Sequence, residues 1–277
     1  MTLAGSFQGM AFGPGSSIHV AGVSGLEDLP SVRSADVPRA AGHGSYRGRD
    51  LLSERTIVMK FVMFADTPAA YRTLRRALAA ATVPLNSESP LYLLDNTQLI
   101  YVRPRRRQLP YDAEFDRRAG EATVEFVATD PRIYDATLTS VTKGVAAASG
   151  GFTFPITFPL TFGVSTAGSG TFQVNNIGNF NTRPSVRITG PVDNPRLEHT
   201  DQGKIIQLAI SLGATDYVDI DFATRNIILN GTASRRSTLT PSSQWWDLQP
   251  GINNIRYAAN SLATGSTATL TFRSAWV

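Results

Sequence analysis

From residue 170 to the C-terminus, short runs of alternating apolar and polar residues recur at close spacing, each closed by turn residues. The runs cover 171–175, 185–189, 196–199, 204–212, 216–222, 226–230, 254–258 and 268–276. A period of two sends alternate side chains to opposite faces of an extended chain. In 216–222, Val218, Ile220 and Phe222 point one way, and Tyr217, Asp219 and Asp221 point the other. Between the runs stand Gly190-Pro191, Asp201-Gln202-Gly203, Leu212-Gly213-Ala214, Asn230-Gly231 and Pro250-Gly251, all residues that turns favour. Eight short strands with one apolar face each must lay those faces together, which predicts a two-sheet sandwich or jelly roll over 171–277.

The first half has a different texture. Residues 55–64 predict a strand with Ile57, Phe61 and Met63 on its apolar face. Thr67 is a good N-cap and Pro68 suits the first helical position, so a helix is predicted over about 67–82. Tyr71, Leu74, Leu78 and Ala81 fall on one face of it, and Val83-Pro84 ends it. Residues 91–94 and 98–103 predict a hairpin across Asp95-Asn96-Thr97. A charged excursion over 104–120 leads into a strand over 121–128. Residues 22–50, rich in Gly, Pro and charge, predict a long arm with little regular structure, a feature more often functional than idle. After Asp135 charge almost vanishes, and FTFPITFPLTF reads as a strap whose prolines exclude a central sheet position. The predicted organisation is a mainly β chain: an α+β domain over 1–145, a linker and strap over 146–170, and the sandwich over 171–277.

At 277 residues the chain is long enough for two cores. No apolar run approaches the roughly 20 residues of a membrane span. The first residues lack the basic start and apolar core of a secretory signal, so folding in a cytoplasm is expected. The absence of cysteine removes disulfides, thiol catalysis and sulfur-bound zinc. Residues 1–140 carry 16 Lys/Arg against 15 Asp/Glu, and 141–277 carry 10 against 7, so neither half is a domain built to neutralise many phosphates. Every basic residue except Lys60, Lys143 and Lys204 is arginine.

Motifs for catalysis are missing. His19, His43 and His199 lie far apart in sequence, and there is no nucleophile elbow, phosphate loop or His-Glu-x-x-His. Asp219 and Asp221 share a strand face at about 7 Å. That spacing suits a calcium ion or an acid/base pair, and equally a solvated outer face, the simpler reading. Arg105, Arg106 and Arg107, with Arg117 and Arg118, form the densest basic patch, interrupted by Asp112; a subunit interface or solvated loop suits this mixture better than nucleic acid. Trp245 and Trp246 are candidates for sugar stacking or for core. Asp130, Pro131 and Arg132 stop a strand where composition changes, which suits a domain seam.

The stretches GLEDLPSVRSADVPRAAGHGSYRGRDLLSERTIVMKF, VATDPRIYD, GPVDNPRLEH, DYVDIDFATRNIILNG, WWDLQPGINNIRY and LTFRSAW, in this order, resemble the distal tail proteins of long-tailed, siphovirus-type bacteriophages, most closely the minor tail proteins of phages of actinobacteria. The resemblance implies a belt domain that assembles as a hexameric ring at the end of the tail tube, with a galectin-like β-sandwich projecting from it. It implies a structural virion protein, made in the host cytoplasm, that lets DNA pass. The implied partners are further copies of itself, the tube protein, the tape-measure protein and a tail-tip or receptor-binding protein. It implies no enzyme, cofactor, metal, membrane or sequence-specific nucleic acid. The arm over 22–50 and the Arg103–Arg118 excursion are then natural candidates for contacts between subunits or with the tube, which the resemblance does not fix to residues.

Sugar-binding galectins carry a His-x-Asn-Pro-Arg stretch. Here Asn194-Pro195-Arg196 follows Pro191-Val192-Asp193, with no histidine in place. A docking module is therefore expected, and a carbohydrate-binding module recognising host cell-wall glycans is the alternative.

Overall fold

The computed structural model describes residues 3–110, 118–145, 170–259 and 265–277. The chain divides into two units, Met1–Thr137 with Trp276–Val277, and Leu138–Ala275.

The first unit contains β1 (Gly5–Phe7), β2 (Met10–Phe12), β3 (Ile18–Ser24), β4 (Val32–Arg33), β5 (Val37–Pro38), β6 (Ser45–Tyr46), β7 (Leu51–Leu52), β8 (Arg55–Phe64), α1 (Pro68–Ala81), β9 (Ser89–Leu93), β10 (Gln98–Gln108), β11 (Ala119–Ala128) and β12 (Ile133–Asp135). Its sheet runs β2-β1-β9-β10-β11-β8-β3, with β12 also paired to β10. Strand β8 alternates strictly, so Ile57, Met59, Phe61 and Met63 enter the core. They meet Phe7, Leu91, Leu93, Ile100, Val124 and Phe126 from the other strands. The predicted helix forms: Thr67 Oγ1 accepts from the Ala70 amide at 3.1 Å, and Pro68 begins the first turn. Tyr71 and Leu78 are its fully buried residues, each contributing roughly 1.5–3 kcal/mol relative to exposure. The hairpin at Asp95–Thr97 also forms, with Gln98 paired to Leu93.

The arm is more regular than expected. It folds back as a ribbon of two short ladders, with Val32 opposite Leu52 and Val37 opposite Tyr46. Asp36 Oδ1 accepts from the Gly48 amide at 2.7 Å between the ladders. At the arm's root Gly25 has φ +80°, and a Cβ there would stand 1.9 Å from the Thr56 carbonyl oxygen, so only glycine fits.

The second unit contains β13 (Thr139–Gly144), β14 (Thr171–Asn176), β15 (Ser185–Thr189), β16 (Val192–Asp193), β17 (Arg196–His199), β18 (Lys204–Gln207), β19 (Ser211–Leu212), β20 (Tyr217–Asp221), β21 (Asn226–Leu229), β22 (Ala233–Ser234), β23 (Gly251–Ala258) and β24 (Thr267–Phe272). A six-stranded sheet, β13-β24-β15-β20-β21-β22, and a four-stranded sheet, β14-β23-β17-β18, share one core. Val186, Ile188, Val218, Ile220 and Leu270 come from the first sheet, and Val174, Leu197, Ile206, Ile255 and Tyr257 from the second. All eight runs read from the sequence contain strands, though 204–212 is split into β18 and β19.

The expected first domain extended to residue 145. In the structure Thr139–Gly144 is instead a strand of the second unit, paired along its whole length with β24. The predicted strap over 146–170 lies, except for Gly170, outside the described residues.

Candidate interaction surfaces

The stretch after β11 is a tied corner. Asp130 accepts from Arg132 Nη1 at 2.9 Å and from the Tyr134 hydroxyl at 2.8 Å. Arg132 is buried, so its guanidinium needs a partner, and Asp130 supplies one within the same turn. The Pro131 carbonyl accepts from Arg55 Nε at 2.9 Å. Arg55 Nη1 faces three more carbonyls, those of Gly25 at 3.1 Å, Leu26 at 2.6 Å and Asp28 at 2.7 Å. This guanidinium is 2% exposed and joins the root of the arm to the 130–132 corner. Its burial lowers its pKa from the ordinary arginine value, and the nearby Asp28 acts in the opposite direction. Asp130, Pro131 and Arg132 thus tie this corner together and to Arg55.

The basic patch splits by role. Arg107 Nη1 donates to the Ala79 carbonyl at 2.5 Å and to Thr82 Oγ1 at 2.9 Å, where the carbonyl end of α1 favours a cation. Arg75 of α1 reaches the other way, to the Pro110 carbonyl at 3.0 Å and the Leu109 carbonyl at 3.2 Å. These two arginines fasten the helix to the end of β10. Arg105, Arg106 and Arg118 are exposed. Asp112 and Arg117 lie outside the described residues.

The structure separates the two tryptophans. Trp246 is 2% exposed, in the core of the second unit, with Phe222 at 4.3 Å and His199 at 5.3 Å between ring centroids. A ring so enclosed cannot stack on a sugar. Trp245 is half-buried, edge-on to Phe222 at 5.2 Å. His199, also in this cluster, was visible in the sequence only as one of three scattered histidines. Its Nε2 lies 3.0 Å from Asn253 Oδ1. That oxygen also accepts from the Gln249 amide, while Asn253 Nδ2 donates to the carbonyls of Gln249 and Gly251, so Nε2 of His199 must be the donor. Burial lowers the His199 pKa, against the raising influence of Asn253 and of Asp201, whose Oδ2 is 4.0 Å from Nδ1.

The two strand carboxylates are both engaged. Asp219 takes Arg187 through two bonds, at 2.7 and 2.9 Å, and Arg187 lies over the Tyr217 ring. Asp221 accepts from the Ala223 amide and the Thr224 hydroxyl of its own turn. Among the described residues no cluster of His, Asp or Glu could hold a metal ion, and no helix is long and apolar enough to cross a membrane.

The described surface therefore offers docking features: a projecting arm, a basic ridge and an open sheet edge. Comparison with known proteins gives these features a setting. Residues 177–276 match the family model of the siphovirus-type tail component, C-terminal domain. Over its full length the chain has the fold of the SPP1 Dit (gp 19.1) protein, described as a paradigm of the hub adsorption apparatus in phages infecting Gram-positive bacteria. The TM-score is 0.71 at 14% identity, covering 100% of both chains. Two structures of the phage P2 baseplate in its activated conformation, with calcium and with strontium, share the fold at TM-scores of 0.52 and 0.53. Both are 10% identical and cover 98% of this chain and 96% of theirs. Among curated proteins none is significantly similar in sequence.

Proposed function

We propose that this chain is a structural virion protein, the distal tail hub of a siphovirus-type phage. The full-length likeness to SPP1 Dit carries the reading, because it spans both units of the chain. The tail-component match over 177–276 supports it independently, from sequence. In this reading the first unit closes into a hexameric ring that continues the tail tube, and DNA passes through the axial channel. The second unit is a docking module for tail-tip or receptor-binding proteins, and the tube and tape-measure proteins meet the ring. The exposed Arg105, Arg106 and Arg118 are candidate ring contacts. With Trp246 in the core, only Trp245 of the pair remains open to a glycan-binding role.

Negative-stain imaging of the purified protein, with its mass measured by light scattering across a concentration series, tests the ring. A six-fold particle with an axial pore is expected. A chain that stays monomeric at every concentration would overturn the ring. Antibody labelling of intact virions tests the location and should decorate the distal end of the tail.

A further inference from the structure

We propose that the arm of one copy seats in the groove beside β3 of a second copy. The proposal rests on the ring reading above and names the contact that would hold that ring together.

Residues 31–50 of the arm are exposed, apart from a half-buried Gly48. Yet Val37 and Tyr46 there are 60 and 64% exposed, Val32 is exposed as well, and so are Leu29 and Leu51 at the two ends of the ribbon. A two-stranded ribbon is marginal in water by itself, and a run of uncovered apolar side chains along one marks a surface built to be covered. Among the described residues nothing covers it. The ribbon is nonetheless ordered at its root by the Arg55 bonds to Gly25, Leu26 and Asp28. An arm that is already shaped loses less conformational freedom on docking. From Val32 to Pro38 it reaches roughly 20 Å at strand rise.

The receiving surface is a groove of about 380 Å³ in the first unit. Val20, Val23, Leu26 and Leu94 line it, with Glu27 and Asp28 as its charged residues and no base among the lining residues. The arm has the opposite balance: over 29–52 it carries Arg33, Arg39, Arg47 and Arg49 against Asp36 and Asp50. Apolar and basic on one side, apolar and acidic on the other, the two surfaces complement each other. Among the described residues strand β3 also ends the sheet, with one side of it unpaired. The ribbon over 31–50 and the groove, which Val20–Asp28 and Leu94 line at the arm's root, are different patches of the same chain, so a contact between them in two copies is head-to-tail. Contacts of that kind propagate, and they close into a ring when the rotation allows. This geometry favours a second copy over a foreign partner.

The test exploits the lack of cysteine. Tyr46→Cys on the arm and Ser24→Cys in the groove are made as separate variants, mixed, and gently oxidised. The mixture is expected to give a disulfide-linked dimer at least tenfold above either variant alone. Separately, Tyr46→Asp and Glu27→Arg, both at exposed positions, should each raise the concentration needed for assembly at least tenfold. Circular dichroism and the urea midpoint should stay unchanged. Rings that form normally in both charge variants, with no mixed cross-link, overturn the arm–groove contact while the ring reading stands. A native chain that is monomeric throughout overturns both.

Discussion

Arg55 sits on the inward register of β8, in step with Ile57, Met59, Phe61 and Met63. That parity was visible in the sequence: an arginine on an apolar face signals a buried cation with dedicated acceptors. Its acceptors were not visible, because they are carbonyls from residues 25–28 and 131, far away along the chain. Arg55→Met keeps the volume but strands those carbonyls. It is expected to destabilise the first unit by about 3 kcal/mol or more, read as a lower urea midpoint. Arg55→Lys should recover only part of this, since an ammonium lacks the planar fork that serves both sides. His199 carries a prediction of opposite character. Burial holds its folded-state pKa below the ordinary 6.5, so above that value the group costs the fold nothing. As pH falls below about 6.5 toward the lowered folded value, the unfolded chain takes up a proton that the folded chain resists, and stability is lost. Asp201 limits the loss and Lys204 adds to it. Thermal scans from pH 8 to 5 should show this decline, and His199→Gln, which retains a donor for Asn253, should flatten it.

Among the elements, those with coincident signals were legible. The sandwich strands were read because alternation and turn residues agree there, and α1 because its cap, first-turn proline and apolar face agree. Strand β13 was missed because Thr139–Gly144 offers only Val141 as an apolar residue and sits at a sheet edge, where alternation is not required. The arm ladders were missed because they are two residues long and separated by Gly and Pro. The seating of α1 was also beyond reach. Tyr71 rests on Gly120 of β11, where an added Cβ would stand 2.1 Å from the Tyr71 hydroxyl oxygen. Gly120→Ala should therefore lift the helix and destabilise the first unit by about 1–3 kcal/mol, measured by urea unfolding. If Gly120→Ala is neutral, the helix is not seated there.

For the whole molecule, two cores imply two unfolding events. Calorimetry should resolve a transition for each unit, with Arg55→Met lowering one and a drop in pH through the His199 window lowering the other. A single transition that moves as one in both experiments would contradict this. The sequence was informative about fold class, because strand runs and their turn residues recur in order along the chain while individual motifs were weak. It was uninformative about surfaces: whether Trp246 faces solvent or core depends on partners such as Phe222 and His199, more than 20 residues away. The fastening of the arm also has a bearing on endurance. A clip made of carboxylates would loosen in acid as they took up protons, and one made of surface ion pairs would weaken in brine. Arg55 grips neutral carbonyls with a group that keeps its proton in proteins, and it does so out of reach of dissolved ions. The root of the arm should thus hold its direction equally well in fresh water, salt and mild acid.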